Sequence, residues 1–258
     1  MSQPNLSGVL IRIDRANAHL DDFDRAVAKV QDACRNAIIR EYYKQGSEHV
    51  FRFERVPTMP ADLAAILGDS IHNLRVSLDY LAWQLVKATG GTPTLGRHGS
   101  TSFPILEKPR IRNQVATYPQ INPSVPDKCR ELLDEIQPYK REKPANHDLA
   151  ILNKLDIRDK HHELLIAVIG MEGPIAWWGD ADPVNFNPGP YRDGDEVLRF
   201  AIPSMYRNAN FDPIFRFTVR FDEPAAGAWR WNLGASEIVR KSLRYIEAEV
   251  LPRFRDFF

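Results

Sequence analysis

The sequence predicts an α+β fold: a bundle of about five helices packed with a mainly antiparallel sheet of roughly five strands. Three observations predict it. Apolar residues recur with helical spacing over much of 8–162, short segments within 164–233 have strand character, and helical spacing returns at 236–258. A further alternating segment at 48–56 adds a strand to the first region. Because no repeat and no low-complexity linker divides the chain, we expect a single domain over residues 1–258.

The composition is that of an ordinary globular chain. Of its 258 residues, 43% are hydrophobic and 26% are charged, and the formal net charge is zero. Nucleic-acid binding through overall charge is therefore not indicated, although a local basic patch stays open. Cys34 and Cys129 form no CxxC pair, which favours a reducing cytoplasm. Without an N-terminal basic and apolar leader or a run of about 18 apolar residues, we expect neither a signal peptide nor a membrane partner.

Two elements precede the central helix. A long helix is predicted from Ile13 to Tyr42, because apolar residues recur every three or four positions as far as Ile38. The alternation of phenylalanine with charged residues then predicts a strand from His49 to Val56.

The central helix, Leu63 to Leu85, is the most regular pattern in the chain. Its apolar positions continue over about six turns. They are Leu63, Ile66, Leu67, Ile71, Leu74, Leu78, Leu81 and Leu85. Thr58 is predicted to cap its N-terminus, with Pro60 and Asp62 in the first turn, and Gly90 and Gly91 are predicted to end the helix.

The remaining elements are predicted from the same helical and alternating patterns of apolar residues. Helices are predicted at Pro109–Tyr118, Pro126–Ile136, His147 to about His161, and from near Ser236 towards the aromatic C-terminal end. Strands are predicted at Leu164–Ile169, Ile175–Trp178, Val197–Ile202 and Ile214–Phe221, with a last one around Trp229 and Trp231.

A polar strip runs along one side of the leucine seam of the central helix. It holds Gly68, His72, Arg75, Asp79, Ala82 and Trp83. His72, Arg75 and Asp79 are three and four positions apart, so they can touch. The strip predicts a covered face, which is either a half-buried hydrogen-bond network or a catalytic site. In a catalytic site, His72 and Asp79 would transfer protons and Arg75 would hold an anion such as phosphate.

A second polar group lies on the helix predicted at His147–His161. Asp156 and Asp159 fall close to its buried side, where carboxylates need a cation or hydrogen-bond donors. Arg75 is the partner that we expect for them. In the functional interpretation, Asp159, Lys160 and His161 bind the substrate.

Metal and cofactor chemistry has little support in the sequence. His72, Asp79, Asp159 and His161 could be combined into a metal site, but they come from distant segments and no spacing rule selects them. Walker-type, GxGxxG, HExxH and GxSxG motifs are absent. We therefore predict no metal and no cofactor.

Several motifs together carry a family resemblance. They are Gly68-Asp69-Ser70-Ile71-His72-Asn73-Leu74-Arg75-Val76-Ser77-Leu78-Asp79-Tyr80-Leu81-Ala82-Trp83, Phe103-Pro104-Ile105, Ile136-Gln137-Pro138-Tyr139 and Leu155-Asp156-Ile157-Arg158-Asp159-Lys160-His161. Through them, roughly residues 47–170 resemble a group of bacterial and phage-borne proteins that share an HNLRxxLDxLxW helix and a later DKH segment. The group has no settled activity, so this resemblance implies a family and no reaction.

A looser resemblance is to HEPN-type helical bundles. Their ribonuclease members carry an Arg followed, after four residues, by a His on one helix, and these residues pair across a dimer. The likeness implies a protein that binds or processes RNA in defence or stress, with RNA and a second copy of the chain as partners. Here Tyr80 stands where the His would be. A tyrosine can donate a hydrogen bond but cannot shuttle protons near neutral pH, so an inactive, RNA-binding or assembly role is open.

A third interpretation is a small-molecule enzyme or binder with a pocket between the bundle and the sheet. Trp177, Trp178, Trp229 and Trp231 could line such a pocket, or they could pack within the sheet and core. The sequence does not decide whether the chain is an enzyme.

Overall fold

The structure is a computed structural model that describes most of the chain. The described residues are 3–43, 48–95, 101–112, 115–116, 118, 121, 125–161, 166–171, 183–187, 189–201, 215–221 and 233–258. Their helices are α1 (Ser7–Asn36), α2 (Leu63–Ala88), α3 (Asp127–Glu135), α4 (Asp148–His161), α5 (Ala235–Tyr245) and α6 (Leu251–Phe254). A π-helical stretch, Ile246–Val250, continues α5 into α6. Short 3-10 helices lie at Pro138–Lys140, Pro144–Asn146 and Arg255–Phe257.

Four of the helices form a closed ring. α1 packs along α2, α2 on α4, α4 on α5, and α5 returns to α1. Polar side chains fix two of these contacts: the Ser70 hydroxyl donates to the Ala16 carbonyl oxygen at 2.9 Å, and the Ser242 hydroxyl donates to that of Asp148 at 3.0 Å. The leucine seam of α2 faces the inside of this ring, since Leu67, Leu74 and Leu78 are fully buried. Burial of this seam is the main apolar contribution of α2 to folding.

The strands form one larger sheet and two small pairs among the described residues. They are β1 (Ile38–Tyr43), β2 (Glu48–Phe53), β3 (Ile111–Arg112), β4 (Val115–Ala116), β5 (Ile166–Met171), β6 (Pro183–Phe186), β7 (Glu196–Ala201) and β8 (Phe217–Phe221). The larger sheet has the order β1-β2-β7-β6, β3 pairs with β4, and β5 pairs with β8. All the pairings are antiparallel.

Aromatic rings join the larger sheet to the segment that contains β8. Phe51 lies 5.4 Å from Phe215, and Phe53 lies 5.4 Å from Phe217, measured between ring centroids. β8 in turn packs against α1 and α5. Phe51 and Phe53 thus share one face of β2, as the alternation in the sequence predicts, and this face packs against the segment that contains β8.

The α+β class is confirmed, but the predicted sheet of roughly five strands is not. The described residues form a four-stranded sheet and two separate two-stranded pairs. The predicted strands at 175–178 and around Trp229 and Trp231 lie outside the described residues.

The predicted first helix is too long. α1 ends at Asn36, and the next residues, Ile38–Tyr43, form β1. From the sequence, these residues are predicted to belong to the first helix, and no strand is predicted before residue 48. Ile38 continues the helical spacing of α1 by coincidence. The segment around it is rich in isoleucine and tyrosine, which pack well on a pleated surface. The short helix predicted at 109–118 is also wrong, since β3 and β4 lie there.

The end of α2 follows the sequence prediction closely. Gly90 has a φ of +79°, a conformation that glycine adopts without steric cost. Its amide donates to the Lys87 carbonyl oxygen at 3.1 Å, and the Gly91 amide donates to that of Val86 at 2.8 Å. This pair of bonds is a Schellman motif. Among the described helices, none has an apolar stretch long and hydrophobic enough to cross a membrane.

Candidate functional site

The polar strip of α2 divides into two separate groups. In the first, His72 Nδ1 lies 3.2 Å from Asp156 Oδ1, and Lys160 Nζ lies 2.7 Å from Asp156 Oδ2. The Asp156 side chain is only 4% exposed, whereas that of His72 is 45% exposed. A buried carboxylate is thus shared between a half-exposed imidazole and an ammonium group, which satisfies the rule that buried charges need partners.

Asp159 lies beside this group but is not paired within it. Partial burial raises the pKa of Asp159 above its usual range, Asp156 adds to the increase, and His72 opposes it. No salt bridge from Asp159 is present in the part of the chain that the structure describes. The expectation that Arg75 neutralises Asp156 and Asp159 is wrong, because the ion pair of Arg75 is made with Asp79. Helical spacing could not reveal which residue of α2 faces each carboxylate of α4.

The second group is a clamp formed by Arg75 and Asp79 on Phe103. Arg75 Nη1 donates to Asp79 Oδ1 at 2.7 Å, and Arg75 Nη2 donates to the Phe103 carbonyl oxygen at 3.2 Å. The Phe103 amide donates to the same Asp79 oxygen at 2.9 Å. Both backbone polar groups of Phe103 are therefore bound by two side chains one helical turn apart, while its ring is buried.

Gln137 holds the next residues of the same segment. Its side-chain nitrogen donates to the Pro104 carbonyl oxygen at 3.0 Å, and its side-chain oxygen accepts the Leu106 amide at 2.9 Å. The Tyr139 amide donates to the Leu106 carbonyl oxygen at 3.1 Å. The irregular segment Phe103–Leu106 is thus hydrogen-bonded almost as a strand would be, which removes the cost of burying its backbone.

The remaining predicted site residues fall as follows. Lys160 is half-exposed and bound to Asp156, and His161 ends α4, but its side chain lies outside the described part of the structure. Within the described residues, no cluster of three or more His, Cys, Asp or Glu side chains could hold a metal ion. The four tryptophans proposed to line a pocket, Trp177, Trp178, Trp229 and Trp231, lie outside the described residues.

Sequence reasoning missed the roles of Asp156 and Gln137 as the central groups of their clusters. For Asp156 the sequence does hold a signal, because a carboxylate near the buried side of a helix needs a cation or hydrogen-bond donors as partners. Gln137 is fully buried, and a buried amide side chain implies several hydrogen bonds. Its position directly before Pro138 gave no such signal in the sequence.

Comparison with known proteins adds no relative. No protein-family model, no curated protein and no solved structure matches the chain.

Proposed function

We propose that the chain is a non-catalytic binding domain in which the Arg75–Asp79 pair stabilises the fold. The proposal depends on one observation: the backbone carbonyl and amide of Phe103 are hydrogen-bonded to both side chains. The Arg75 side chain is 12% exposed, and both of its terminal nitrogens donate to groups of the protein. An arginine that recognises phosphate presents this fork of donors to the ligand. Both terminal nitrogens of Arg75 already donate to the protein, so this fork of donors is not presented to a ligand.

The charges around His72 support the same proposal. Asp159 interacts electrostatically with Asp156, Asp69, His72 and Lys160. The buried Asp156 is already paired with His72 and Lys160, so Asp69 and Asp159 add two further negative charges beside this group. Added negative charge disfavours the binding of a polyanion here.

The test measures the free energy of unfolding of Arg75→Ala against a matched control. Arg25 on α1 also pairs with an aspartate, Asp22, but its side chain is 70% exposed. We expect Arg75→Ala to lose about 2 to 3 kcal/mol, the usual cost of breaking charge-assisted hydrogen bonds in a partly buried site. Arg25→Ala should change stability by less than about 0.5 kcal/mol. Equal, small effects of the two variants would contradict the architectural role of Arg75.

A second candidate function has a specific observation in its favour. His72 Nδ1 is held by the buried Asp156 carboxylate, which orients an imidazole that is 45% exposed. A carboxylate that orients a histidine is a common arrangement for proton transfer. Together with the HEPN likeness, this supports an RNA-binding or RNA-processing protein in defence or stress, acting as a homodimer, in which His72 transfers protons.

The RNA candidate is tested with wild type, His72→Ala and Arg75→Ala. Binding and cleavage of single-stranded and structured RNA are measured alongside the sedimentation of the free protein. If RNA is the partner, wild type binds or cleaves it, and His72→Ala abolishes cleavage while circular dichroism shows that the variant is still folded. Absence of both binding and cleavage by wild type removes this candidate. Activity that survives in His72→Ala removes the histidine from the mechanism.

A further inference from the structure

We propose that a cavity beside Tyr80 and Trp83 binds an alkylammonium or guanidinium group. The cavity has a volume of about 280 Å³ and is lined by Val76, Asp79, Tyr80, Trp83, Gln84 and Thr101. The inference rests on the proposed binding function and deepens it, because it names the class of ligand and the place where the ligand binds.

Two aromatic rings supply the attraction for a cation. Tyr80 and Trp83 are three positions apart on α2, so they lie on the same face of the helix. The faces of such rings carry negative potential and attract ammonium and guanidinium groups. The chain already places a cation on one of them, since the Arg12 guanidinium carbon lies 5.5 Å from the centroid of the Tyr80 ring. Arg12 is not among the residues that line the cavity.

Asp79 supplies the hydrogen-bond acceptor. Its Oδ1 accepts the bonds from Arg75 and from the Phe103 amide, and in the described part of the chain no group donates to Oδ2. Arg75 balances the formal charge of Asp79. Oδ2 therefore serves as a directed hydrogen-bond acceptor for the ligand, and the two aromatic rings supply the attraction for its positive charge. An anionic ligand is disfavoured because Asp79 Oδ2 can only accept hydrogen bonds. A neutral apolar ligand is disfavoured because it would bury this oxygen without donating a hydrogen bond to it.

The volume limits the ligand to a small group. Sites for small molecules usually enclose roughly 300–1,000 Å³, and this cavity of about 280 Å³ lies just below that range. It suits a free small amine or the end of a lysine or arginine side chain from a protein partner. The two sources share one chemistry, which is a positively charged group with N–H donors on an alkyl chain.

The test titrates the full chain with n-butylammonium and with its neutral analogue 1-butanol. Binding is followed by calorimetry and by the indole N–H resonances of isotope-labelled tryptophan, in which Trp83→Leu identifies the signal of Trp83. We expect millimolar binding of butylammonium that perturbs the Trp83 resonance, and binding of butanol at least tenfold weaker. A short lysine peptide with blocked termini is titrated in parallel. Tighter binding of the peptide assigns the ligand to a protein partner, and tighter binding of the amine assigns it to a small molecule.

Two pocket variants and one control variant decide the location. Tyr80→Leu and Trp83→Leu should each weaken butylammonium binding about tenfold, whereas Tyr42→Leu, which alters an exposed tyrosine of β1, should leave it unchanged. Circular dichroism establishes that each variant is folded. Equal binding of butylammonium and butanol, equal loss in Tyr42→Leu, or no binding of any probe overturns the inference. If this happens while Arg75→Ala is still strongly destabilised, the proposed architecture of the strip stands and only the cation site fails.

Discussion

Arg75 and Asp79, one helical turn apart on α2, bind the carbonyl and the amide of a single residue, Phe103. Arg75 Nη2 lies 3.2 Å from the carbonyl oxygen, and Asp79 Oδ1 lies 2.9 Å from the amide nitrogen. The ion pair thus takes the place of a neighbouring strand for Phe103. This contact gives the guanidinium and the carboxylate a structural role beside the leucine seam.

The two residues should behave as one unit when they are removed. We expect Arg75→Ala and Asp79→Ala each to lower the free energy of unfolding by about 2 to 3 kcal/mol, because each leaves the other without its partner. The double variant should lose little more than either single variant, with a coupling energy above about 1 kcal/mol in a double-mutant cycle from urea unfolding. Additive losses would show that the two side chains act independently.

The second clamp predicts a large effect at Gln137. Gln137→Leu keeps the volume but leaves the Pro104 carbonyl and the Leu106 amide without their partners. We expect a loss of about 2 to 3 kcal/mol of unfolding free energy. Gln84→Leu is the matched control, because Gln84 is only partly buried and accepts a single long hydrogen bond, 3.3 Å, from the Asn5 amide. If both substitutions cost the same, the buried amide does not hold the segment.

Asp159 should limit stability at neutral pH. Its pKa is raised in the folded protein, chiefly by burial and then by Asp156, so folding favours its protonated form. Below the ordinary pKa of aspartate the group is protonated in both states and costs nothing. As pH rises through the folded pKa, stability is lost, and the full loss is present at about pH 7.

Asp159→Asn should therefore stabilise the protein at neutral pH and not in acid. We expect a gain of about 0.5 kcal/mol at about pH 7, the size of a like-charge contact on a helix. This gain should disappear as pH falls below the ordinary pKa of aspartate. Thermal unfolding of wild type and variant across this range measures it. A gain that does not depend on pH would mean that the substitution acts through helix propensity and not through charge.

The two cysteines should be unreactive in the folded protein. Burial raises the pKa of Cys34 to about 12 and that of Cys129 to about 11, against the opposing effects of Arg35 and Arg130. The thiolate is the reactive form of cysteine, so an aromatic disulfide reagent at about pH 8 should label neither residue in native buffer and both in denaturant. Rapid labelling of either residue in the folded state would contradict its burial.

Helical spacing predicted those features of the fold and of the candidate site that depend on residues within a single segment. The extent of α4, the glycine end of α2 and the contact of Arg75 with Asp79 all follow from residues within a few positions of one another. Each of these features is fixed by the 3.6-residue period or by a local backbone conformation. The predicted start of α2 is wrong, because the residue that precedes its first turn is Asp62 and not Thr58.

Pairing between distant segments could not be predicted in the same way. His72 and Asp156 are 84 positions apart, and their contact depends on how α4 packs across α2. The error at Ile38–Tyr43 has a related cause, because the choice between helix and strand there depends on the partner strand β2. Tertiary contacts override local preference in such cases.

The return of α5 to α1 determines when the protein can fold during its synthesis. Arg240 binds Asp24 across a separation of 216 residues, so the ring of helices cannot close until that much chain has been added. At roughly 5–20 residues per second the delay is about 10 to 40 s. During this interval the unfinished bundle leaves leucines of α2 without their full packing, so slower translation prolongs the time for which apolar surface of the nascent chain is open to aggregation.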